Sequence, residues 1–183
     1  MSIETKNFEF TGGLKKVSIS LILVGIVAFI TSFALNKTVG WVDFYVVSIY
    51  FATLTLSAIF FLALAGVVQA SWLTPYKRVP EAMTSFFPVS FVMFVVSCFG
   101  LHTIYEWTHK DVVANDPILA GKVAWLNEPR FIISMVVMFI IWIGLSKVFK
   151  SQSLKMDSKQ TGVEATNKNI GFSALAIILF SIT

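Results

Sequence analysis

The chain has 183 residues and a formal net charge of +4, with 56% hydrophobic and 13% charged residues. Soluble domains carry a charge on about a quarter of their residues, so this composition excludes an ordinary soluble domain. The single cysteine, Cys98, excludes an internal disulfide, and one thiol alone cannot hold a structural metal.

Four long apolar runs without charged residues follow one another along the chain, and a fifth begins near its end. A helix rises about 1.5 Å per residue, so about 20 residues cross the hydrocarbon core of a bilayer. The runs are continuous, which favours helices over the alternating strands of a barrel. The sequence therefore predicts an all-α, polytopic transmembrane helical bundle. After a tail at 1–16, the domain 17–183 is expected to contain spans at about 17–35, 43–70, 82–101, 129–149 and 170–183, the last one truncated.

The segments between these spans differ in positive charge. Ten Lys and Arg residues lie on the side that holds the tail and the connections after the second and fourth spans, and four lie on the other side. Positive residues favour the cytoplasmic face, so we expect a cytoplasmic amino terminus. The loop 150–169 would be cytoplasmic, and segments 36–43 and 102–130 would lie outside. Charges placed beside spans form no basic face for nucleic acid.

Proline and asparagine residues predict the ends of several helices. Pro75 is expected to end the second helix, Pro80 to lie in the first turn of the third, and Pro88 to kink the third. Asn127 is expected to cap the fourth helix. Segment 102–130 mixes apolar and charged residues, which predicts a short amphipathic helix or an ordered loop on the outer face.

Polar residues gather just after the third span, where His102, Glu106, His109 and Asp111 lie close together in the sequence. If the third helix continues, the first three of these residues share a face. Such a group could form a divalent-metal site, a proton relay or part of a quinol-head pocket, because imidazole accepts protons near neutral pH. A solvated helix end is the alternative interpretation.

The sequence excludes several redox centres within this chain. Its two histidines lie in one segment, so they cannot supply the facing axial ligands of a transmembrane di-haem site. A Cys-x-x-Cys-His motif for c-type haem and a cysteine cluster for an iron–sulfur centre are both missing. Electron transfer would then require a bound quinone or centres on partner subunits.

The segment after the third span carries a recognisable pattern. It reads His102-Thr-Ile-Tyr-Glu-Trp107, then Asp111-Val-Val-Ala-Asn-Asp116, then Lys122, and finally Trp125-Leu-Asn-Glu-Pro-Arg-Phe131. This pattern resembles the quinone-binding subunit 2 of bacterial quinol:cytochrome c oxidoreductase, the F subunit of alternative complex III. That subunit belongs with the NrfD/polysulfide-reductase type of membrane subunits, whose fold contains further helices.

The resemblance implies a membrane subunit of a respiratory complex that contributes to quinol binding or proton transfer and anchors the redox subunits. It implies partners in the lipid bilayer and beyond it: other membrane subunits, multihaem cytochrome c and iron–sulfur subunits. No covalently bound cofactor is implied, whereas a quinone such as menaquinol would bind, with His102, Glu106, His109 and Asp111 as its candidate proton or quinol group. A purely structural anchor subunit and a stand-alone transporter or channel are the alternatives.

Overall fold

A computed structural model describes residues 12–157 and 163–182, and every regular element in these residues is helical. The chain divides into two compact units, Met1–Phe44 and Tyr45–Thr183. In the described ranges, three short 3-10 helices, Ser71–Tyr76, Cys98–Gly100 and Glu106–Thr108, lie between the α-helices. The α-helices in these ranges are α1 (Gly13–Leu35), α2 (Lys37–Val67), α3 (Arg78–Thr84), α4 (Phe87–Ser97), α5 (Leu101–Ile104), α6 (Lys110–Asn115), α7 (Pro117–Ala120), α8 (Glu128–Asp157) and α9 (Val163–Ile182).

Four helical stretches of the described residues are long and apolar enough to cross a membrane. They are Gly13–Leu35, Lys37–Val67, Arg78–Ile104 and Glu128–Lys155, and Asn167–Ile182 is a shorter apolar helix. The predicted all-α helical bundle is confirmed, and the chain is a multi-pass membrane protein. Of the predicted tail, residues 1–11 lie outside the described residues, while α1 already begins at Gly13.

The first unit contains α1 and the beginning of α2. No residue of α1 is buried, which is typical of an apolar helix whose sides face lipid. The Phe33 ring packs edge-on against the Trp41 ring, with their centroids 5.2 Å apart. The Phe33 ring also lies close to Gly40, and a Cβ atom on that residue would be only 2.7 Å from the ring. The Ser32 hydroxyl donates to the Asp43 carboxylate at 2.8 Å. Aromatic contacts and one hydrogen bond therefore hold the two helices of this unit together.

The predicted loop at 36–43 is wrong. Only Asn36 separates α1 from α2, which begins at Lys37 rather than near Asp43. The Asn36 side-chain oxygen accepts a hydrogen bond from the Thr38 amide at 2.9 Å, and this cap satisfies a donor of the first turn. Capping by one residue thus replaces the longer turn that the polar sequence suggested.

The second helix ends at Val67, so the prediction that Pro75 ends it is wrong. Gln69 adopts a positive φ of 50°, a left-handed conformation that stops an α-helix. The Ala70 amide then bonds to the Ala65 carbonyl at 3.0 Å, as it does in a Schellman-type helix end. Pro75 lies further on, within a 3-10 helix.

The third span is interrupted near its beginning. Helix α3 ends at Thr84 and α4 begins at Phe87, with Pro88 in its first turn. Proline has no N–H to bond to the carbonyl four residues earlier, and its ring clashes with that carbonyl. The sequence predicts a kink at Pro88, and the structure interrupts the helix just before this residue. The predicted place of Pro80 in the first turn of α3 is confirmed.

Helix α8, which forms the fourth span, begins where the sequence predicts but ends later. The Arg130 amide donates to the Asn127 side-chain oxygen at 2.9 Å, which confirms the predicted cap. Helix α8 then runs to Asp157 and α9 begins at Val163, so the predicted loop at 150–169 is wrong for most of its length. Residues 147–157 contain neither Gly nor Pro and are rich in good helix formers, and nothing therefore stops the helix there. Residues 158–162 lie outside the described residues.

The core of the second unit lies where α2, α4, α8 and α9 meet. Aromatic and aliphatic side chains from these helices form one buried cluster, including Ile59, Phe94, Phe139, Trp142 and Ala176. Several serines are fully buried as well, and such small residues let helix backbones approach closely inside a membrane.

This core predicts different effects for two isoleucine substitutions. Ile59 is fully buried, whereas Ile140 on α8 is 62% exposed. Ile59→Ala leaves a cavity between helices, and we expect it to cost about 2 kcal/mol of unfolding free energy. Ile140→Ala leaves space that lipid or detergent chains fill, and we expect a change within about 0.5 kcal/mol. Reversible unfolding in mixed micelles measures both values, and equal losses would contradict the core described here.

Candidate functional site

The third span ends at Ile104, and the chain then changes direction several times. Tyr105 is extended, a 3-10 turn follows at Glu106–Thr108, and His109 is extended again. The helix therefore does not continue, and the shared helical face expected under that condition does not form. Two short helices, α6 and α7, complete the ordered segment that follows.

The two imidazoles nevertheless come together. The rings of His102 and His109 lie parallel, with centroids 4.3 Å apart and an angle of 8° between their planes. His102 is 68% exposed and His109 is exposed too, so water reaches the pair. Because the chain folds back after Ile104, the stack forms without a shared helix.

The carboxylate that faces this pair is Glu128. Its Oε1 lies 3.8 Å from Nδ1 of His102, at the beginning of α8. Among the described residues, neither Glu106 nor Asp111 forms an ion pair with either imidazole, although both lie in the same segment. Sequence reasoning missed Glu128 because it assigned Asn127-Glu-Pro to the start of a helix. Glu128 lies 26 positions after His102 in the sequence, so no local pattern indicated their contact.

A hydrogen-bond chain sets the tautomer of His109. The Thr108 hydroxyl donates its only hydrogen to the Tyr105 carbonyl at 2.7 Å. That hydroxyl lies 3.2 Å from Nδ1 of His109, so in this contact the ring nitrogen is the donor and the oxygen accepts. Nε2 of a neutral His109 is then the nitrogen that can accept a proton.

Aromatic side chains support the segment that holds the imidazoles. The Tyr105 hydroxyl is hydrogen-bonded to the Tyr45 hydroxyl of α2. The Tyr105 ring also packs against the rings of Trp107 and Phe131, with centroid distances of 5.1 Å and 5.7 Å. These contacts fix the turn after the third span against α2 and α8, and the imidazoles flank that turn.

A groove adjoins the imidazole pair. It has a volume of about 460 Å³, and its lining includes Trp107, Thr108, Val113 and Glu128. Thr108 and Glu128 also contact the two imidazoles, so the groove and the pair share residues. The lining therefore combines apolar side chains such as Trp107 and Val113 with polar ones such as Thr108 and Glu128, as a site for an aromatic head with polar groups does.

The metal-site interpretation receives no support from this geometry. Within residues 12–157 and 163–182, no group of three or more His, Cys, Asp and Glu side chains is arranged to hold a metal ion. Because the two rings are nearly parallel, their nitrogen lone pairs lie in separate planes and do not converge on one ion. The arrangement suits proton exchange and hydrogen bonding instead.

A second polar group lies at the beginning of the third span, the end away from the imidazoles. Glu81 is buried, and its Oε2 accepts a hydrogen bond from Arg78 at 2.7 Å. Lys77 lies 3.9 Å from the other carboxylate oxygen. Burial lowers the pKa of the Lys77 ammonium from its ordinary value, while the Glu81 carboxylate acts in the opposite direction.

Comparison with known proteins adds no relative. No protein-family model matches the sequence, and no curated protein matches it. The resemblance to the alternative complex III subunit stays a prediction that rests on the residues quoted from 102–131.

The hydrogen bond between Tyr45 and Tyr105 predicts coupled effects on stability. Hydrogen bonds between membrane helices contribute roughly 0.6 kcal/mol, and up to about 1.7 kcal/mol. We expect Tyr45→Phe and Tyr105→Phe each to lower the unfolding free energy within this range, and the double variant to lose no more than the larger single effect. Tyr76→Phe is the matched control, because Tyr76 is 66% exposed. Additive losses in a double-mutant cycle would contradict the bond.

Proposed function

We propose that this chain is a membrane subunit of a respiratory quinol:cytochrome c oxidoreductase of the alternative complex III type. The observation that supports the proposal is the stacked pair His102–His109, which adjoins Glu128 and a groove lined by Trp107. An aromatic wall beside a proton acceptor is what a quinol head requires. The sequence pattern across 102–131 points to the same function.

In this proposal the chain accepts protons from the quinol, and its partner subunits accept the electrons. Oxidation of a quinol to a quinone releases two protons and two electrons. The electrons pass to haem and iron–sulfur centres on partner subunits. One proton passes to His109 Nε2, and the other passes to the water that reaches the pair. The pair is exposed, so a proton accepted there can pass on to water.

The proposal includes a location and an orientation. The excess of Lys and Arg beside the Glu81 end of the third span favours the cytoplasm for that end. The imidazole pair would then face the outside of a bacterial inner membrane, with the amino terminus in the cytoplasm. Protons released there would leave the membrane on its outer side.

Isolation from native membranes tests the partners. We expect the tagged chain to bring down a multihaem cytochrome c and an iron–sulfur subunit, detected by haem absorption and by electron paramagnetic resonance after mild detergent extraction. An unrelated multi-pass protein with the same tag is the control. Recovery of the chain without any redox subunit would contradict the respiratory assignment.

Substitution of the imidazoles tests the site. We expect His102→Ala or His109→Ala to lower quinol turnover of the isolated complex by about tenfold, which is less than a buried general base contributes because water reaches this pair. Lys122→Gln, an exposed change in the same outer segment, should leave turnover unchanged. Unchanged turnover in both histidine variants, with the complex intact, would assign the chain a purely structural role.

A further inference from the structure

An aromatic ring and a cation lie together on the surface where the fourth span begins. The guanidinium carbon of Arg130 lies over the Trp125 ring, 3.6 Å from its centroid, which is the geometry of a cation–π interaction. Trp125 is nevertheless 70% exposed, and Arg130 is exposed too. This Trp125–Arg130 pair therefore presents a large aromatic surface and a positive charge to whatever surrounds the protein.

The Asn127 side chain holds the backbone of the pair in place. Its Oδ1 accepts a hydrogen bond from the Arg130 amide at 2.9 Å. Its Nδ2 donates to the carbonyls of Val123 and Ala124, at 3.1 Å and 3.2 Å. One side chain thus connects the turn that carries Trp125 with the first turn of α8. A ligand of the pair would meet an arrangement that is already ordered, which lowers the entropy cost of binding.

The charge of Arg130 is available to an external anion. In the part of the chain that the structure describes, Arg130 forms no ion pair with a carboxylate. Glu128, the acidic residue nearest to it in the sequence, faces His102 instead, at 3.8 Å. A guanidinium that lies over a ring keeps N–H donors at its edges, and their fork matches two oxygens of a phosphate.

The position of the pair in the span indicates which phosphate it meets. The charge-free run of the fourth span begins at Phe131, directly after Arg130. The helical stretch Glu128–Lys155 is long and apolar enough to cross a membrane. A charged residue just outside the hydrocarbon lies at the level of the lipid headgroups, where tryptophan rings are enriched as well. At that level a phospholipid offers both an anion and an apolar surface.

We propose that Trp125 and Arg130 form a binding site for a phospholipid of the surrounding bilayer. The guanidinium donates two hydrogen bonds to oxygens of the phosphate, and the Trp125 ring packs against the glycerol backbone of the same lipid. Every phospholipid carries this phosphate, so the site recognises the phosphodiester rather than one headgroup. The site uses neither imidazole and does not depend on the respiratory function.

Native mass spectrometry of the full chain in detergent tests the site, with wild type and one variant competing for lipid in the same sample. The lipids are phosphatidylglycerol, phosphatidylcholine and a diacylglycerol with the same acyl chains. We expect Arg130→Gln to weaken binding of both phospholipids by about tenfold, which corresponds to about 1.4 kcal/mol, because charge-assisted hydrogen bonds are lost. Binding of the diacylglycerol, which has no phosphate, should not change.

Three further variants separate the parts of the site. Lys110→Gln is the matched control, because it removes one positive charge from an exposed position at the start of α6 and should leave phospholipid binding unchanged. Arg130→Lys keeps the charge without the planar fork, so it should restore only part of the binding. Trp125→Ala should weaken phospholipid binding through loss of the ring. Both side chains of the pair are exposed, so these variants should fold.

Two kinds of result would overturn the assignment. Equal weakening by Arg130→Gln and Lys110→Gln, or equal loss of phospholipid and diacylglycerol binding, would show that the phosphate is not recognised at Arg130. Binding of inorganic phosphate as tight as that of the phospholipids would assign the pair to a soluble anion instead.

Discussion

Every backbone N–H and C=O group inside a hydrocarbon layer has to find its partner within the protein, and this requirement determines where chemistry is possible in this chain. Helices satisfy it along their length and leave it open only at their ends. The described residues follow this rule, because both polar groups of the second unit form beside helix ends. The imidazole pair lies where the third span stops, and Glu81 lies in the short helix that begins it.

Both polar groups depend on contacts between helices. Tyr105 fixes the turn that carries the imidazoles through its hydrogen bond to Tyr45, and Glu128 reaches His102 from the start of α8. At the other end, the left-handed Gln69 stops α2 and leaves room for a cavity beside Glu81. The buried cluster of aromatic and aliphatic side chains lies between these two ends.

Features that depend on near neighbours could be predicted from the sequence. The apolar runs predict the spans, and Asn127 predicts the start of α8 because its side chain caps the next turn. Pro88 predicts a disturbance of the third span because it lacks an N–H, although the sequence indicated a kink rather than the interruption that is present. The ends of α2 and α8 could not be predicted in this way. The residues at the end of α8 are polar, and such a composition occurs both in loops and in solvated helices. Only the absence of Gly and Pro from residues 147–157 indicated a helix there.

In the candidate site, too, some features could be predicted from the sequence and others depend on the fold. His102 and His109 stand out in the sequence because they are the only histidines and lie close together. Their stacking requires the chain to fold back after Ile104, and no local pattern predicts that turn. The contact with Glu128 joins segments far apart in the sequence, so only the fold reveals it, whereas Glu106 is a nearer neighbour in sequence without such a contact.

The length of α8 has a consequence for the depth of the protein in its bilayer. Its 30 residues extend about 45 Å, whereas a hydrocarbon core is about 30 Å thick. The surplus, which carries Lys147, Lys150 and Lys155, reaches the level of the lipid phosphates if the helix stands nearly upright. Attraction between these ammonium groups and the phosphates then opposes vertical sliding. A thicker or thinner bilayer would change the tilt of α8 before it changed the level at which its lysines sit.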